Sequence, residues 1–191
     1  MTEYTSVLDR LTADRTLPKK TDKWALKSTD FAGRTSGGFQ WPDKGWIEPA
    51  PTEREFTKGD PRPQFDGDGM CVAHTYAGLG SGGHRALCLL LVAYDTADVL
   101  GEGGGKVRVS RAFVVERLDG EQVIRDHGAG ANLNGAYLTG ADLTGADLNG
   151  ANLARANLNG ANLTGADLAG ADLAGADRAD LVARGALGLT P

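Results

Sequence analysis

At 191 residues the chain is long enough for one compact unit or two small ones. Its net charge of −5 and pI near 5.2 exclude the basic face of a general nucleic-acid binder. Met1-Thr2-Glu3-Tyr4 does not read as a signal peptide, the longest apolar run (Ala86 to Tyr94) is too short to span a bilayer, and two cysteines do not make a disulfide scaffold, so the chain is expected to be made in a reducing cytoplasm without a membrane partner.

Residues 1–16 read as an N-terminal arm. Tyr4, Leu8 and Leu11 share one face of a short amphipathic helix, placed to dock on the chain itself or to face a partner. Residues 17–128 follow as an α+β docking domain in which strands dominate. Trp24, Trp41 and Trp46 read as core anchors under long loops, with short strands at Trp24–Lys27 and Gly38–Trp41 and an irregular segment through Pro63. After a tight turn at Gly67-Asp68-Gly69, Met70–His74 reads as a strand, and Gly78–Gly83 as a glycine-rich loop. The run ending at Tyr94 suits a buried strand or a short helix, which periodicity does not separate. Asp95–Gly105 reads as loop. Lys106–Arg111 and Ala112–Val115 read as strands, and the Asp119-Gly120 pair before Val123-Ile124 signals a hairpin feeding the C-terminal segment.

The chemistry-bearing motifs are thin. Gly78-Leu79-Gly80-Ser81-Gly82-Gly83 matches G-x-G-x-x-G, but no βαβ unit follows and Asp95 is too close to be the ribose-binding acid. Gly101–Lys106 lacks phosphate-loop spacing, with Val107 where Ser or Thr is required. Cys71, His74, His84 and Cys88 have C-x2-H…H-x3-C spacing, which could supply four tetrahedral zinc ligands. Against this, Cys88 lies inside an apolar run, where a buried thiol is the ordinary reading. No nucleophile has a motif-level partner, so neither cofactor nor metal is expected.

From 131 to 175 a five-residue unit repeats without a gap, from ANLNG through AYLTG to ADLAG. Each unit starts with Ala and carries Leu third: Leu133, Leu138, Leu143, Leu148, Leu153, Leu158, Leu163, Leu168 and Leu173. A period of five fits neither helix nor flat strand, and the closing Gly argues further against helix. A corner every five residues instead points Ala and Leu inward. The pattern A(N/D)LXX resembles the pentapeptide-repeat family, and the resemblance implies a right-handed quadrilateral β-solenoid over 129–178, about two coils long. The chain as a whole is then mainly β, with the α+β part first.

In that geometry units four apart stack. Asn132, Asn152 and Asp172 share one face, Tyr137 lies under Asn157, Asp142 under Asn162, and Asp147 under Asp167. Asn ladders are expected to hydrogen-bond along the stack. Asp147 and Asp167 form a like-charged pair suited to a cationic partner, and residues 131–180 carry a net −4, six Asp against Arg155 and Arg178. Arg155 occupies a corner held by Gly in the other units, as a solvated side chain or a partner contact. Arg178 falls where the next Leu is due, so 179–191 reads as a cap and tail.

The N-terminal half, with its Trp-rich start, Gly67-Asp68-Gly69-x-Cys71-x-x-His74, Asp98-Val99-Leu100 and Lys106-Val107-Arg108-Val109, resembles small uncharacterised proteins of tailed phages, a likeness that implies no activity. The expected function is a non-enzymatic structural or interaction protein, a decoration or accessory protein of a phage-type virion with protein partners such as a capsid, or a homo-oligomer. Two alternatives stand beside it: a DNA mimic acting on an enzyme such as gyrase, and an enzyme in the N-terminal half. The repeat stack is about 11 Å long at ~4.8 Å per coil, against ~34 Å for one duplex turn, so a mimic requires end-to-end dimers.

Overall fold

The computed structural model describes residues 6–30, 32–34, 40–48, 70–80, 87–103, 105–176 and 178–189. Ser6 opens the first helix, α1 (Val7–Thr12), by accepting a hydrogen bond from the Asp9 amide on its hydroxyl. The strands are β1 (Lys23–Ser28), β2 (Gly45–Ile47), β3 (Met70–Ala73), β4 (Cys88–Tyr94), β5 (Val99–Gly103), β6 (Lys106–Val109) and β7 (Ala112–Asp119). A helical turn, α2 (Tyr76–Gly80), follows β3, and α3 (Gly120–His127) follows β7. All seven strands form one open antiparallel sheet in the order β2-β7-β4-β1-β3-β6-β5.

The run ending at Tyr94 is the strand β4, not a helix, and it lies inside the sheet between β1 and β7. Being covered on both faces, Leu89 to Ala93 are all fully buried, which explains an apolar run without alternation. One face of the sheet, with Ala25, Val72, Leu90, Val92, Val107 and Val114, packs on Trp41. The other, with Leu26, Ala73, Leu89 and Leu91, packs on α1, α3 and the repeat.

Four expectations are corrected here. Asp119-Gly120 is not a hairpin turn: the Asp119 carboxylate accepts the Glu121 and Gln122 amides and caps α3, so Val123 and Ile124 are helical. Asp95–Gly105 is not all loop, because a 3-10 turn at Thr96–Asp98 leads into β5, which pairs with β6. Gly78–Gly80 belong to α2, where the Thr75 hydroxyl accepts the Gly78 amide. Trp46 is not a core anchor: it stands 37% exposed on β2, edge-on to Phe113, whereas Trp41 is buried. Gly38, the Gly67-Asp68-Gly69 turn and the segment from 49 to 69 lie outside the described residues.

In the repeat, parallel bridges join residues 20 apart: Asn132 to Asn152, Tyr137 to Asn157, Asp142 to Asn162, Asp147 to Asp167 and Asn152 to Asp172. Four units therefore complete one coil. The nine repeat leucines are at most 5% exposed, and they belong to a cluster that runs unbroken from Val7 and Leu8 through Leu26 and Ile124 to Leu181 and Ala186. A last helix, α4 (Arg178–Ala183), lies beyond the repeat, and its Leu181 packs on the end of the column.

Candidate docking surface

The backbone of each coil is held by a two-way exchange. The amides of Leu133, Leu138, Leu143 and Leu148 donate at 2.9 Å to the carbonyls of Asn152, Asn157, Asn162 and Asp167. The return bond runs from residue 152 to Ala131 at 2.9 Å, and its equivalents recur at 157, 162 and 167. The corner residue is left-handed, with φ between 61° and 89° at the glycines from Gly130 to Gly175. A residue with a Cβ is strained there, yet Arg155 adopts φ 59° and keeps its rung bond to Ala174 at 3.1 Å.

The Asn and Asp side chains do not form ladders along the stack. In eight of the nine units the Oδ1 accepts the amide two residues on, as from Thr144 to Asp142 (3.1 Å), Asn149 to Asp147 (3.1 Å) and Ala169 to Asp167 (2.9 Å). The backbone gives the physical reason. The fourth amide of a unit points away from the rungs, so the nearest side-chain oxygen satisfies it. One oxygen suffices, which is why Asn and Asp interchange at this position. Asp142 and Asn162 each accept the hydroxyl of their own Thr144 or Thr164 as well, at 2.6 and 2.8 Å. The hydroxyl and amide of Thr144 hold the Asp142 carboxyl below its usual range.

Both ends of the stack are closed by the chain. At the first coil, the Glu121 carboxylate accepts the Asp142 amide at 2.8 Å and the Arg125 guanidinium donates to the Asp142 carbonyl at 2.7 Å. These two side chains from α3 replace the missing rung on that side. Arg10 of α1 adds hydrogen bonds to the His127 carbonyl, at 3.0 Å, and to the Ala129 carbonyl. At the other end Arg184 donates to the carbonyls of Leu158 (2.8 Å) and Ala161 (3.2 Å). The tail then adds a partial rung: Leu168 donates to Leu187 at 2.9 Å and Leu187 to Ala166 at 2.7 Å. Glu121, Arg125, Arg10 and Arg184 were not singled out in the sequence, where Glu121 and Arg125 look like an ordinary i,i+4 surface pair.

Of the residues expected to face a partner, Asp147 and Arg155 are exposed and Asp167 is half-buried. Leu8 is not available to a partner: it is 7% exposed and packs, with Leu11 beside it, into the chain's own core. A short helix cannot leave that apolar face in water when the sheet and the repeat offer a cover. Tyr4 lies outside the described residues.

Of the four zinc candidates, Cys71, His74 and Cys88 lie among the described residues. Cys71 lies on β3 and Cys88 on β4, with β1 between them, and His84 is outside the described residues. His74 instead puts Nε2 2.8 Å from the Tyr94 hydroxyl, with the rings stacked at 5.9 Å. Burial holds the His74 imidazole below its usual pKa and pushes the Tyr94 phenol up to about 12. Among the described residues, no three His, Cys, Asp or Glu side chains gather as metal ligands. No helix among them is long and apolar enough to cross a membrane.

The model of the family described as Pentapeptide repeats, in 8 copies, matches residues 129–160 and 146–177. Residues 129–177 are pentapeptide repeats. No curated protein and no solved structure matches the chain. The pentapeptide match ends short of the sheet, so the tailed-phage likeness of the N-terminal half gains nothing from it. Pentapeptide-repeat proteins are generally structural or interaction proteins.

Proposed function

We propose that the protein is a non-enzymatic docking component, whose pentapeptide block forms a right-handed quadrilateral β-solenoid that presents a side face to a protein partner. The observation that carries this reading is the closure of the stack at both ends, by Glu121 and Arg125 at one and by Arg184 and the Leu187 rung at the other. Closed ends leave the sides for contact. Those sides bear Asp, Asn, Thr and Ala whose polar atoms are largely turned into their own turns, so another surface can approach closely. Asp147 and Asp167 add a stacked anionic pair that gives orientation and salt dependence more than affinity.

The finer reading, a decoration or accessory assembly protein of a phage-type virion, rests on the likeness of the N-terminal half. The DNA-mimic alternative needs end-to-end dimers, and the capped ends count against it. The enzyme alternative would have to rest on groups other than His74, whose imidazole is tied to Tyr94.

The test is co-sedimentation of the purified chain with the large complexes of a producing cell, across a salt series. The chain is expected in the heavy fractions, and Asp147→Lys with Asp167→Lys is expected to free it at lower salt. A chain that stays a free monomer at every salt concentration, or one that slows gyrase supercoiling stoichiometrically, overturns the reading.

A further inference from the structure

The repeat holds three Asn-Gly pairs, Asn134-Gly135, Asn149-Gly150 and Asn159-Gly160, each set in the same local sequence Leu-Asn-Gly-Ala. Asn-Gly is open to attack from within the chain, because no side chain on the glycine shields its nitrogen from the Asn side-chain carbonyl carbon. With the local sequence identical, only the coil can make the three pairs differ.

The rungs do make them differ. A corner glycine donates its amide to the next coil, as Gly135 does to the Ala154 carbonyl at 2.9 Å and Gly150 to the Ala169 carbonyl at 2.8 Å. The nitrogens of those two pairs are spent. At the same spacing the acceptor due to Gly160 is Ala179, but there the chain has left the coil for α4. The Gly160 amide has no hydrogen-bond acceptor among the described residues. Asn159 and Gly160 are both exposed, whereas Gly135 and Gly150 are half-buried. The carbonyls of Asn149 and Asn159 each accept an amide from the coil before, from Gly130 and Gly140, both at 2.8 Å. The 149–150 peptide is thus held at both its oxygen and its nitrogen, and the 159–160 peptide at its oxygen alone.

From the free amide at this exposed corner we infer that Asn159-Gly160 is a self-modifying site, where the chain closes a succinimide ring that water then opens. Hydroxide takes the Gly160 amide proton and the nitrogen bonds to Asn159 Cγ. The bond from Cγ to the side-chain nitrogen breaks, and ammonia leaves with a proton from water. Water adds to either ring carbonyl, giving aspartate or isoaspartate, so the net change is one water in and one ammonia out. Closing the ring turns the peptide and breaks the bond from Gly140, and Gly160, now at φ 67°, tolerates either sign of φ. The product places a carboxylate beside the uncharged Tyr137–Asn157 rung. Isoaspartate also lengthens the backbone next to Leu158, whose carbonyl accepts Arg184. The inference does not depend on the docking reading.

Time-resolved peptide mapping by mass spectrometry on the full chain, folded and in urea, tests it. In the folded chain the mass gain of deamidation should appear first at Asn159, at about fivefold the rate at Asn149 or more, as one fewer hydrogen bond to break implies. The rate should rise with pH, and the products should include isoaspartate, which direct hydrolysis of the side chain does not form. In urea the three sites should converge. Asn159→Thr, which copies the corner residue of Thr139, Thr144 and Thr164, should remove the leading signal and leave Asn134 and Asn149 at their own rates. Asn134 or Asn149 level with or ahead of Asn159 in the folded chain, aspartate as the sole product, or the same ranking in urea overturns the inference.

Discussion

Gly128→Ala probes the joint between α3 and the first coil. Gly128 is the C-terminal cap of α3 with φ −76°, so its backbone is ordinary and any cost is steric. A Cβ there would lie 2.5 Å from the Ile124 carbonyl oxygen, 2.8 Å from Leu148 Cδ2 and 2.9 Å from the Asp147 carbonyl oxygen. Two of the three obstacles are backbone and cannot rotate away, so the helix must lift off the coil. Overpacking of this kind costs about 1–3 kcal/mol. Lifting also stretches the two bonds that Glu121 and Arg125 make to Asp142, at about 1 kcal/mol each. The expected loss is about 3–5 kcal/mol. Gly145→Ala is the control, because nothing lies within 4 Å of its Cβ and only the left-handed backbone (φ +67°) is strained. Its net cost should be about 1 kcal/mol or less, since the alanine also restricts the unfolded chain. Urea unfolding should be followed by circular dichroism and by Trp fluorescence, whose three reporters (24, 41 and 46) all lie in the N-terminal half. Because one apolar cluster joins the two halves, both signals should move together. If Gly128→Ala is no less stable than Gly145→Ala, or if the two probes separate, the joint does not hold the halves as described.

Leu153→Asp places a carboxylate at a site 1% exposed in the middle of the column and should cost several kcal/mol, so an unchanged urea midpoint would refute the inward register. Arg155→Gly removes left-handed strain of about 1–2 kcal/mol and loosens the unfolded chain by about 0.4–1 kcal/mol, for a net gain of roughly 0.5–1 kcal/mol in thermal or urea unfolding. If Arg155 is a docking residue, the same variant should be more stable yet associate more weakly in the co-sedimentation assay. Asp22 and Asp142 have carboxyls held below 3.8, Asp22 first by the Thr96 hydroxyl and Asp142 first by the Thr144 hydroxyl. Their stabilisation is therefore full above the unfolded carboxylate range and is lost as pH falls through the lowered folded values; Asp142→Asn, which keeps the turn oxygen, should flatten that acid limb of the melting curve while changing little at neutral pH. Elemental analysis of protein purified without chelator should show no stoichiometric zinc, and about one zinc per chain would contradict the separation of Cys71 from Cys88.

The repeat was legible because its period leaves little choice: only a corner every five residues keeps Ala and Leu together, and the 20-residue bridges follow. What the outward positions do was not legible. An Asn oxygen can bond along a stack or around its own turn, and only the backbone orientation selects the second. The N-terminal half misled for related reasons. Asp-Gly serves both a hairpin and a helix cap, and what decides for α3 at Asp119 is tertiary, namely the burial of Val123 and Ile124 against the repeat. The glycines of β5 carry little strand preference, and the pairing with β6 supplies what composition lacks. The amphipathic pattern of α1 showed a face without showing what covers it.

A stack of two coils and a fraction buries too little to stand alone, and each open end would expose a ring of unpaired backbone groups. The chain meets both needs with one arrangement. The apolar column of the repeat continues into the lower face of the sheet, so Leu133 and Leu148 share a cluster with Leu26, Leu89 and Ile124. At that same boundary Glu121 and Arg125 meet the amide and carbonyl of Asp142 that a further coil would have met. A side chain can satisfy those groups only from a fixed position, and Gly128 brings α3 close enough to hold it. The faces of the repeat are thus set in orientation relative to the sheet, not merely tethered to it. That rigidity favours the docking reading on energetic grounds: a surface already held in its bound geometry loses little entropy on association, so a shallow polar contact can still be specific.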